Sequence, residues 1–223
     1  MLLFERLTDI LAPHNCLSCD SEGALLCAQC LPEICIPPPP RCFRCHAATV
    51  DSAVCAKCRR QAPLGHVWLA SEYGGATKQL LHCFKFERAK AAADPASRAL
   101  EAALPYFDER VVFTHIPAAT SRVRQRGYDQ SALLAKSLAR SLGRRHVTLL
   151  SRYGQSRQVG AKREQRLRQL EGAFQPRQQA IIKGAHILLI DDVVTTGATL
   201  VAAATALKAA GAKKVDAAVL AQA

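Results

Sequence analysis

Aromatic residues and long apolar runs are both scarce in this chain. It has one Trp, four Tyr and seven Phe in 223 residues, which leaves few rings for stacking on nucleic-acid bases. No apolar run approaches the roughly 18 residues that a membrane helix needs. The first residues also lack the basic start of a signal peptide. We therefore expect a cytoplasmic protein with no membrane insertion.

Two common nucleotide-binding motifs are missing as well. No Gly-Lys-Ser or Gly-Lys-Thr follows a glycine-rich loop, and no Gly-x-Gly-x-x-Gly follows a predicted strand. Because these glycines allow the backbone to approach the phosphates, their absence excludes the P-loop and dinucleotide-binding classes.

The positive charge is concentrated in one part of the chain. The formal net charge is +12, and residues 122–177 carry fourteen Lys or Arg against three acidic residues. Residues 1–66 hold six of each sign and add nothing to the excess. A solvated helix face usually mixes both signs, whereas a one-sided block attracts polyanions. The block therefore predicts contacts with phosphate groups, either of a small ligand or of a nucleic-acid backbone.

Eight of the ten cysteines form four Cys-x-x-Cys pairs, which are Cys16/Cys19, Cys27/Cys30, Cys42/Cys45 and Cys55/Cys58. Two such pairs complete a tetrahedral zinc site, whereas a disulfide framework is typical of an exported chain. We predict two structural four-cysteine zinc sites with no open coordination position. Sequential pairing is favoured over a crossed arrangement, but spacing alone does not decide between them.

The rest of the chain alternates strands with helices. Strands are predicted at 66–73, 111–116, 147–150, 186–190 and 215–220, and helices at 75–86, 130–143 and 198–210. This order predicts an α/β domain at residues 63–223, with a parallel sheet covered by helices on both faces. A small double zinc ribbon is predicted at residues 1–62.

The stretch ILLIDDVVTTGATL, residues 187–200, predicts a ligand site. Its four aliphatic residues form a buried strand, and ligands of parallel sheets bind beyond the carboxyl ends of the strands. Asp191 and Asp192 are expected at that end, where they accept hydrogen bonds from sugar hydroxyls. The Thr/Gly turn that follows opens a helix and forms an anion cup. A plain helix cap is the alternative, but it requires only one acid.

This stretch resembles the 5-phosphoribosyl-1-pyrophosphate (PRPP) motif of type I phosphoribosyltransferases. With the cysteine pairs, with Ile116-Pro117 through Arg126-Gly127-Tyr128-Asp129-Gln130, and with Gln158 through Phe174, the whole chain resembles the ComF family of competence-associated proteins. The chain departs from the usual family pattern in having His115 in place of a proline and Asp129 in place of an asparagine.

The resemblance implies a role for each matching residue. Asp191 and Asp192 would be catalytic and would hold the ribose hydroxyls, while Thr195, Thr196, Gly197 and Thr199 would cradle the 5-phosphate. Pro117, Ala118 and Ala119 would face the pyrophosphate, which comes with Mg2+. The phosphate or nucleic-acid contacts would come from Arg122, Arg126, Arg157, Arg163 and Arg166, the last three in a hood over the site. Apart from the resemblance, Lys85 is expected to be an ordinary helix-end side chain, with reach into the anion cup as the alternative.

Three functions are compatible with this site. The resemblance implies a PRPP-binding protein of DNA uptake or natural transformation, which binds or processes single-stranded DNA beside uptake proteins such as a helicase. The alternative is an active phosphoribosyltransferase of nucleotide metabolism, whose acceptor no residue identifies. The third is regulation without catalysis, in which PRPP binding is a metabolic signal and the zinc ribbons form a protein docking surface.

Overall fold

The computed structural model describes residues 14–86, 89–153 and 172–223. It contains six strands in these ranges: β1 Val67–Glu72, β2 Val112–His115, β3 Leu150–Arg152, β4 Phe174–Pro176, β5 His186–Val194 and β6 Lys214–Gln222. The central sheet has the order β1-β6-β5-β2, and all its ladders are parallel. Strands β3 and β4 form a separate antiparallel pair.

Helices cover both faces of the central sheet. They are α1 Ala56–Arg59, α2 Gly75–Phe86, α3 Ala93–Ala103, α4 Thr120–Arg126, α5 Gln130–Ser141, α6 Gln179–Ile182 and α7 Ala198–Ala209. Short 3-10 turns lie at Leu31–Ile34, Val50–Ser52 and Lys90–Ala92. No helix in the described ranges is long and apolar enough to cross a bilayer.

Side-chain alternation along β5 explains the two layers. Leu188 and Ile190 enter the core beneath α2, α3 and α5, while Ile187 and Leu189 enter the core beneath α7. Successive residues of a strand point to opposite faces, so an uninterrupted apolar run requires cover on both sides. The predicted α/β architecture is confirmed.

Several elements differ from the sequence-based expectation, among them the short elements α4, α6 and β4, which were not predicted. Strand β5 continues to Val194, because residues 191–194 still pair with β6 after the neighbouring β2 has ended opposite Ile190. Helix α3 was not predicted, although it contributes to the core. The strand predicted at 147–150 is wrong: His146 makes a single bridge to Phe113, and the regular strand β3 begins at Leu150.

The two cysteine segments lie on opposite faces of the sheet. Leu25, Leu26 and Ile34 pack into the core on the α2 and α3 side. Phe43 and Val54 pack into the core on the α7 side. The proline run 37–40 joins them and lines grooves beside β1.

A buried acid fixes the amino end of the sheet. Asp216 of β6 accepts hydrogen bonds from His186 Nε2 at 2.7 Å and from the His66 backbone N–H at 2.8 Å, and it pairs with Lys214 Nζ at 2.8 Å. Burial raises the pKa of Asp216, but the His186 and Lys214 contacts outweigh it and hold the pKa at about 2. Because the carboxylate is surrounded by donors, it stabilises the fold as an ionised group.

Candidate functional site

A cleft of about 480 Å³ opens at the carboxyl ends of β2 and β5. The turn after β2, the first turn of α4, the end of β5 and the start of α7 line it. The predicted site residues that the structure places in this cleft are Pro117, Ala118, Ala119, Arg122, Arg126, Asp191, Asp192, Thr195, Thr196, Gly197 and Thr199. The predicted contacts Arg157, Arg163 and Arg166 lie outside the described residues.

Asp191 is the buried member of the acidic pair. The Ser131 hydroxyl and the backbone N–H of Asp192 both donate to its Oδ1, each at 2.9 Å. Burial and the adjacent Asp192 charge raise the pKa of Asp191 to about 7, against the lowering effect of the Ser131 hydrogen bond. This carboxyl group therefore changes its charge close to neutral pH.

Asp192 forms an ion pair with a lysine of helix α2. Lys85 Nζ lies 2.8 Å from Asp192 Oδ2, and the two side chains are 21% and 15% exposed. Lys85 lies at the end of α2 as expected, but it reaches the acidic pair and lines the same cleft. Within the described ranges no protein group bonds Asp191 Oδ2 or Asp192 Oδ1, so each acid presents one oxygen to a ligand.

The Thr/Gly turn that follows β5 forms another part of the cleft wall. Gly197 is the N-cap of α7, with φ +74°, a left-handed conformation that glycine adopts without steric cost. It has no side chain to accept the N–H groups of the first helical turn. The Ala198 N–H makes a long hydrogen bond of 3.4 Å to the Thr196 hydroxyl, and the N–H groups that follow it remain available for an anion. We call residues 195–199 the phosphate cup.

The turn after β2 is tied to helix α5 by Asp129. Its Oδ1 caps the helix by accepting the Ala132 N–H at 3.2 Å, and its Oδ2 accepts the Ala118 N–H at 2.8 Å. Burial raises the pKa of Asp129. An asparagine has one acceptor oxygen and could not reproduce both bonds in this arrangement. The departure from the usual asparagine thus gives the turn an additional anchor.

His115 is buried at the end of β2, where it pairs with a second histidine. His115 Nδ1 lies 3.1 Å from His146 Nε2, and the two rings stack with 5.3 Å between centroids. Burial lowers the pKa of both side chains to about 4, with a further lowering from Lys136. The pair is therefore neutral at physiological pH. It connects the end of β2, where the cleft turn begins, to the segment around His146, which forms a single bridge to Phe113 of β2.

Two side chains at the mouth of the cleft were not predicted from the sequence. Tyr73 and Phe86 are exposed and line the same cavity as the acidic pair. The Arg126 guanidinium lies 5.7 Å from the centroid of the Phe86 ring, and its Nη1 donates to Gln130 Oε1 at 2.8 Å. Nothing in the local sequence distinguishes these rings from core residues, since their position depends on where β1 and α2 end.

The eight paired cysteines form two separate clusters, Cys16/Cys19/Cys27/Cys30 and Cys42/Cys45/Cys55/Cys58. The four sulfurs of each cluster lie within 4.8 Å of one another, which establishes the sequential grouping. Sulfurs in a tetrahedral zinc site with Zn–S bonds near 2.3 Å are about 3.8 Å apart. The Cys19–Cys27 and Cys45–Cys55 sulfurs are 3.7 and 3.6 Å apart, so both clusters fit zinc.

Thiol environments in the two clusters are alike. Burial raises the pKa of Cys16 and of Cys42, but hydrogen bonds from backbone N–H groups outweigh it and lower each pKa to about 6. Backbone donors of this kind stabilise thiolate, the form that binds a metal. Each cluster is thus prepared for a cation by the turn that holds it.

Comparisons with known proteins agree with this geometry. The family model for the phosphoribosyl transferase domain matches residues 129–223. The chain is 30% identical over 179 residues to the DNA utilization protein YhgH of Salmonella typhi, covering 74% of this chain and 76% of that protein. It is 37% identical over 102 residues to the competence protein ComFC of Bacillus subtilis, covering 46% of this chain and 40% of that protein.

Among solved structures, TT1426 from Thermus thermophilus matches with a TM-score of 0.33 and 17% identity, over 60% of this chain and 83% of that one. That likeness is too weak to carry an argument.

Proposed function

This chain belongs to the ComF family, and we propose that its cleft binds PRPP with Mg2+ in a protein that handles DNA during uptake or transformation. One observation carries the proposal of the ligand: a single cleft is lined both by a pair of carboxylates and by the amino end of a helix. Vicinal hydroxyls suit the first and a phosphate suits the second. A phosphorylated sugar has both groups.

The acidic pair matches the two neighbouring ribose hydroxyls in number, and its oxygens are acceptors for hydroxyl donors. Asp191 Oδ2 and Asp192 Oδ1 are the two oxygens that remain for two hydroxyl groups. Mg2+ in phosphate-binding sites is held by one or two carboxylates together with ligand phosphates. The same two acids are therefore suitable partners for a metal that arrives with the pyrophosphate.

Lys85 offsets the repulsion that two carboxylates exert on an anionic ligand. Its ammonium group forms the ion pair with Asp192 and adds a positive charge inside the cleft. Arg122 and Arg126 line the mouth on the side of the turn after β2, where the pyrophosphate would lie. Charged groups fixed before the ligand arrives need little rearrangement when it binds.

Calorimetric titration of Mg-PRPP into zinc-replete protein tests this proposal. The wild-type protein should bind, and Asp191→Ala/Asp192→Ala should lose binding while both zinc ions are retained. Binding that survives in the double variant would contradict the assignment of the ribose to this pair.

The proposed DNA role comes from the names of the relatives and from the basic block at residues 122–177. Single-stranded DNA is the expected polyanion. If about six phosphates are contacted, affinity should fall by about a thousandfold or more between 50 and 200 mM salt. Titration of labelled single-stranded DNA at several salt concentrations checks this slope, and a salt-independent affinity would count against the role.

Catalytic transfer is a second candidate, favoured by the exposed rings of Tyr73 and Phe86 beside the acidic pair. They offer a planar surface for an acceptor next to the ribose, and Arg126 already lies over the Phe86 ring. In this mechanism an acceptor nitrogen bonds to the ribose C1 carbon, and pyrophosphate leaves with the electrons of the broken C–O bond. Release of pyrophosphate in single-turnover mixtures of Mg-PRPP with panels of bases and amines would support it.

We also propose where the protein acts and how it is divided. It would lie in the cytoplasm, with uptake proteins such as a helicase as partners, and would consist of a zinc-ribbon domain at residues 1–62 and a phosphoribosyltransferase-like domain at residues 63–223. Co-purification from transforming cells and limited proteolysis of the purified chain test these points.

A further inference from the structure

The second cysteine cluster lies directly against the phosphate cup. Phe43 stands between the cluster residues Cys42 and Cys45, and its side chain is fully buried in the core on the α7 side. A Cβ atom built on Gly197 would overlap the Phe43 ring, with Cδ2 only 2.9 Å away. The glycine that begins α7 is therefore in close contact with a residue of the metal cluster.

A second tie joins the same cluster to the strand that leads into the cup. The Gln222 side-chain Nε2 donates to the Phe43 carbonyl oxygen at 2.9 Å, in a buried position. Gln222 ends β6 and pairs with Val194, the last residue of β5 before Thr195. Phe43 thus contacts the phosphate cup itself through its ring, at Gly197. Through its carbonyl oxygen it also contacts the end of β6, which pairs with the last residue of β5 before the cup.

We propose that the second cysteine cluster holds the phosphate cup in its ligand-binding conformation, with Phe43 as the positioning residue. The inference deepens the proposed function, since it assumes that residues 195–199 receive a phosphate. It gives the second cluster a role beyond folding: loss of its metal, or oxidation of its thiols, should loosen the cup.

The physical reason is that the segment at 41–62 has few buried apolar side chains of its own. Besides cysteine they are Phe43, Val54 and Ala62, and a structural zinc ion stabilises segments of this kind. Without the metal, the turn that carries Phe43 loses its main constraint. Its ring would no longer fill the space against Gly197, and the start of α7 would lose its buried contact.

The first cluster provides a matched control. It packs against α2 and α3 on the opposite face, and within the described residues no contact links it to Gly197. Cys19 and Cys45 occupy equivalent places in the two clusters, and both are exposed. Cys19→Ser and Cys45→Ser therefore remove the same group from the two sites with similar cost to packing.

The test compares hydrogen exchange and Mg-PRPP affinity in the full-length variants, with zinc content measured in each. In the ligand-free protein, Cys45→Ser should increase amide exchange in residues 195–201, and Cys19→Ser should leave it unchanged. Mg-PRPP affinity should fall between about twofold and 30-fold in Cys45→Ser, the range for residues that act on a site without touching its ligand. Cys19→Ser should remain within about twofold of wild type.

Phe43→Ala and Phe43→Leu separate the contact from the metal. Both variants keep all eight thiols and should keep both zinc ions. They therefore test the contact between Phe43 and Gly197 even if Cys19→Ser or Cys45→Ser still holds zinc in the altered cluster. Phe43→Ala should reproduce the faster exchange and weaker binding, and Phe43→Leu should restore most of both because it refills the space.

The outcomes distinguish this inference from the proposed function. Unchanged exchange at 195–201 in Phe43→Ala, or equal effects of Cys19→Ser and Cys45→Ser, would overturn the coupling even if PRPP binds. Faster exchange only in the second-cluster and Phe43→Ala variants, in a protein that does not bind Mg-PRPP, would support the coupling and refute the ligand.

Discussion

Replacing Lys85 by methionine tests the electrostatic design of the cleft. The substitution keeps most of the side-chain volume but leaves Asp192 without its cation beside Asp191. At 2.8 Å the gross attraction is about 6 kcal/mol for an effective dielectric constant of 20. Exposed pairs contribute about 0–1 kcal/mol, whereas breaking a buried pair costs about 3–5 kcal/mol. With 21% and 15% of the two side chains exposed, we expect an effect of about 2 kcal/mol.

Two measurements follow from that magnitude. Mg-PRPP should bind about 30-fold more weakly to Lys85→Met than to wild type by calorimetry. The melting temperature of the ligand-free protein should fall by about 4–8 °C. Lys78→Met, an exposed lysine of the same helix, is the control and should change neither quantity. Affinity in Lys85→Met equal to that of wild type would refute the charge argument, and tighter binding would show that the lysine competes with the ligand.

Three further predictions concern single groups or the metals. Asp191→Asn keeps an acceptor for the Ser131 and Asp192 donors but removes a carboxyl whose pKa is raised to about 7. Folding penalises its ionised form as pH rises from about 4 to 7, so by urea unfolding the variant should be more stable than wild type at pH 8, by on the order of 4 kcal/mol, and equally stable near pH 4. Because the ionised carboxylate is the better hydrogen-bond acceptor for the ribose hydroxyls, Mg-PRPP affinity measured by calorimetry should increase in the wild type as pH rises through 7, and this increase should be absent in Asp191→Asn. Asp216 has a depressed pKa of about 2, so its stabilisation is present above about pH 4 and is lost as pH falls toward 2. Asp216→Asn should lose on the order of 2 kcal/mol at pH 7 and little at pH 2, and a pH-independent loss would contradict this account. Zinc analysis should find two ions per chain, and a strong chelator should unfold the cysteine segments before the central sheet, as followed by hydrogen exchange.

The acidic motif shows which structural features can be predicted from the local sequence and which cannot. Four aliphatic residues before two acids predicted a buried strand with carboxylates near its end, and the structure has both. The predicted end was four residues too early, because acids interrupt the apolar pattern. Pairing with β6 keeps residues 191–194 in the strand. The local sequence gives no information about which strand will be the partner or how far it extends.

The cysteine segments illustrate the same limit. A spacing of two residues between thiols predicted metal sites, since that turn directs both sulfurs to one point. It did not determine which pairs join, and it gave no sign that the clusters lie on opposite faces of a sheet. Those features depend on the path of the chain past the edge of β1.

The sequence by itself therefore determined the parts whose physics is local: the alternation of strands and helices, the thiol pairs, and the acids followed by a glycine-led helix. Only the tertiary structure decided that Lys85 meets Asp192, that Asp129 holds the turn after β2, and that Phe43 fills the space at Gly197. Each of these contacts joins different elements of the fold. Their free energy depends on distance and burial, and both quantities exist only once the sheet has brought the elements together.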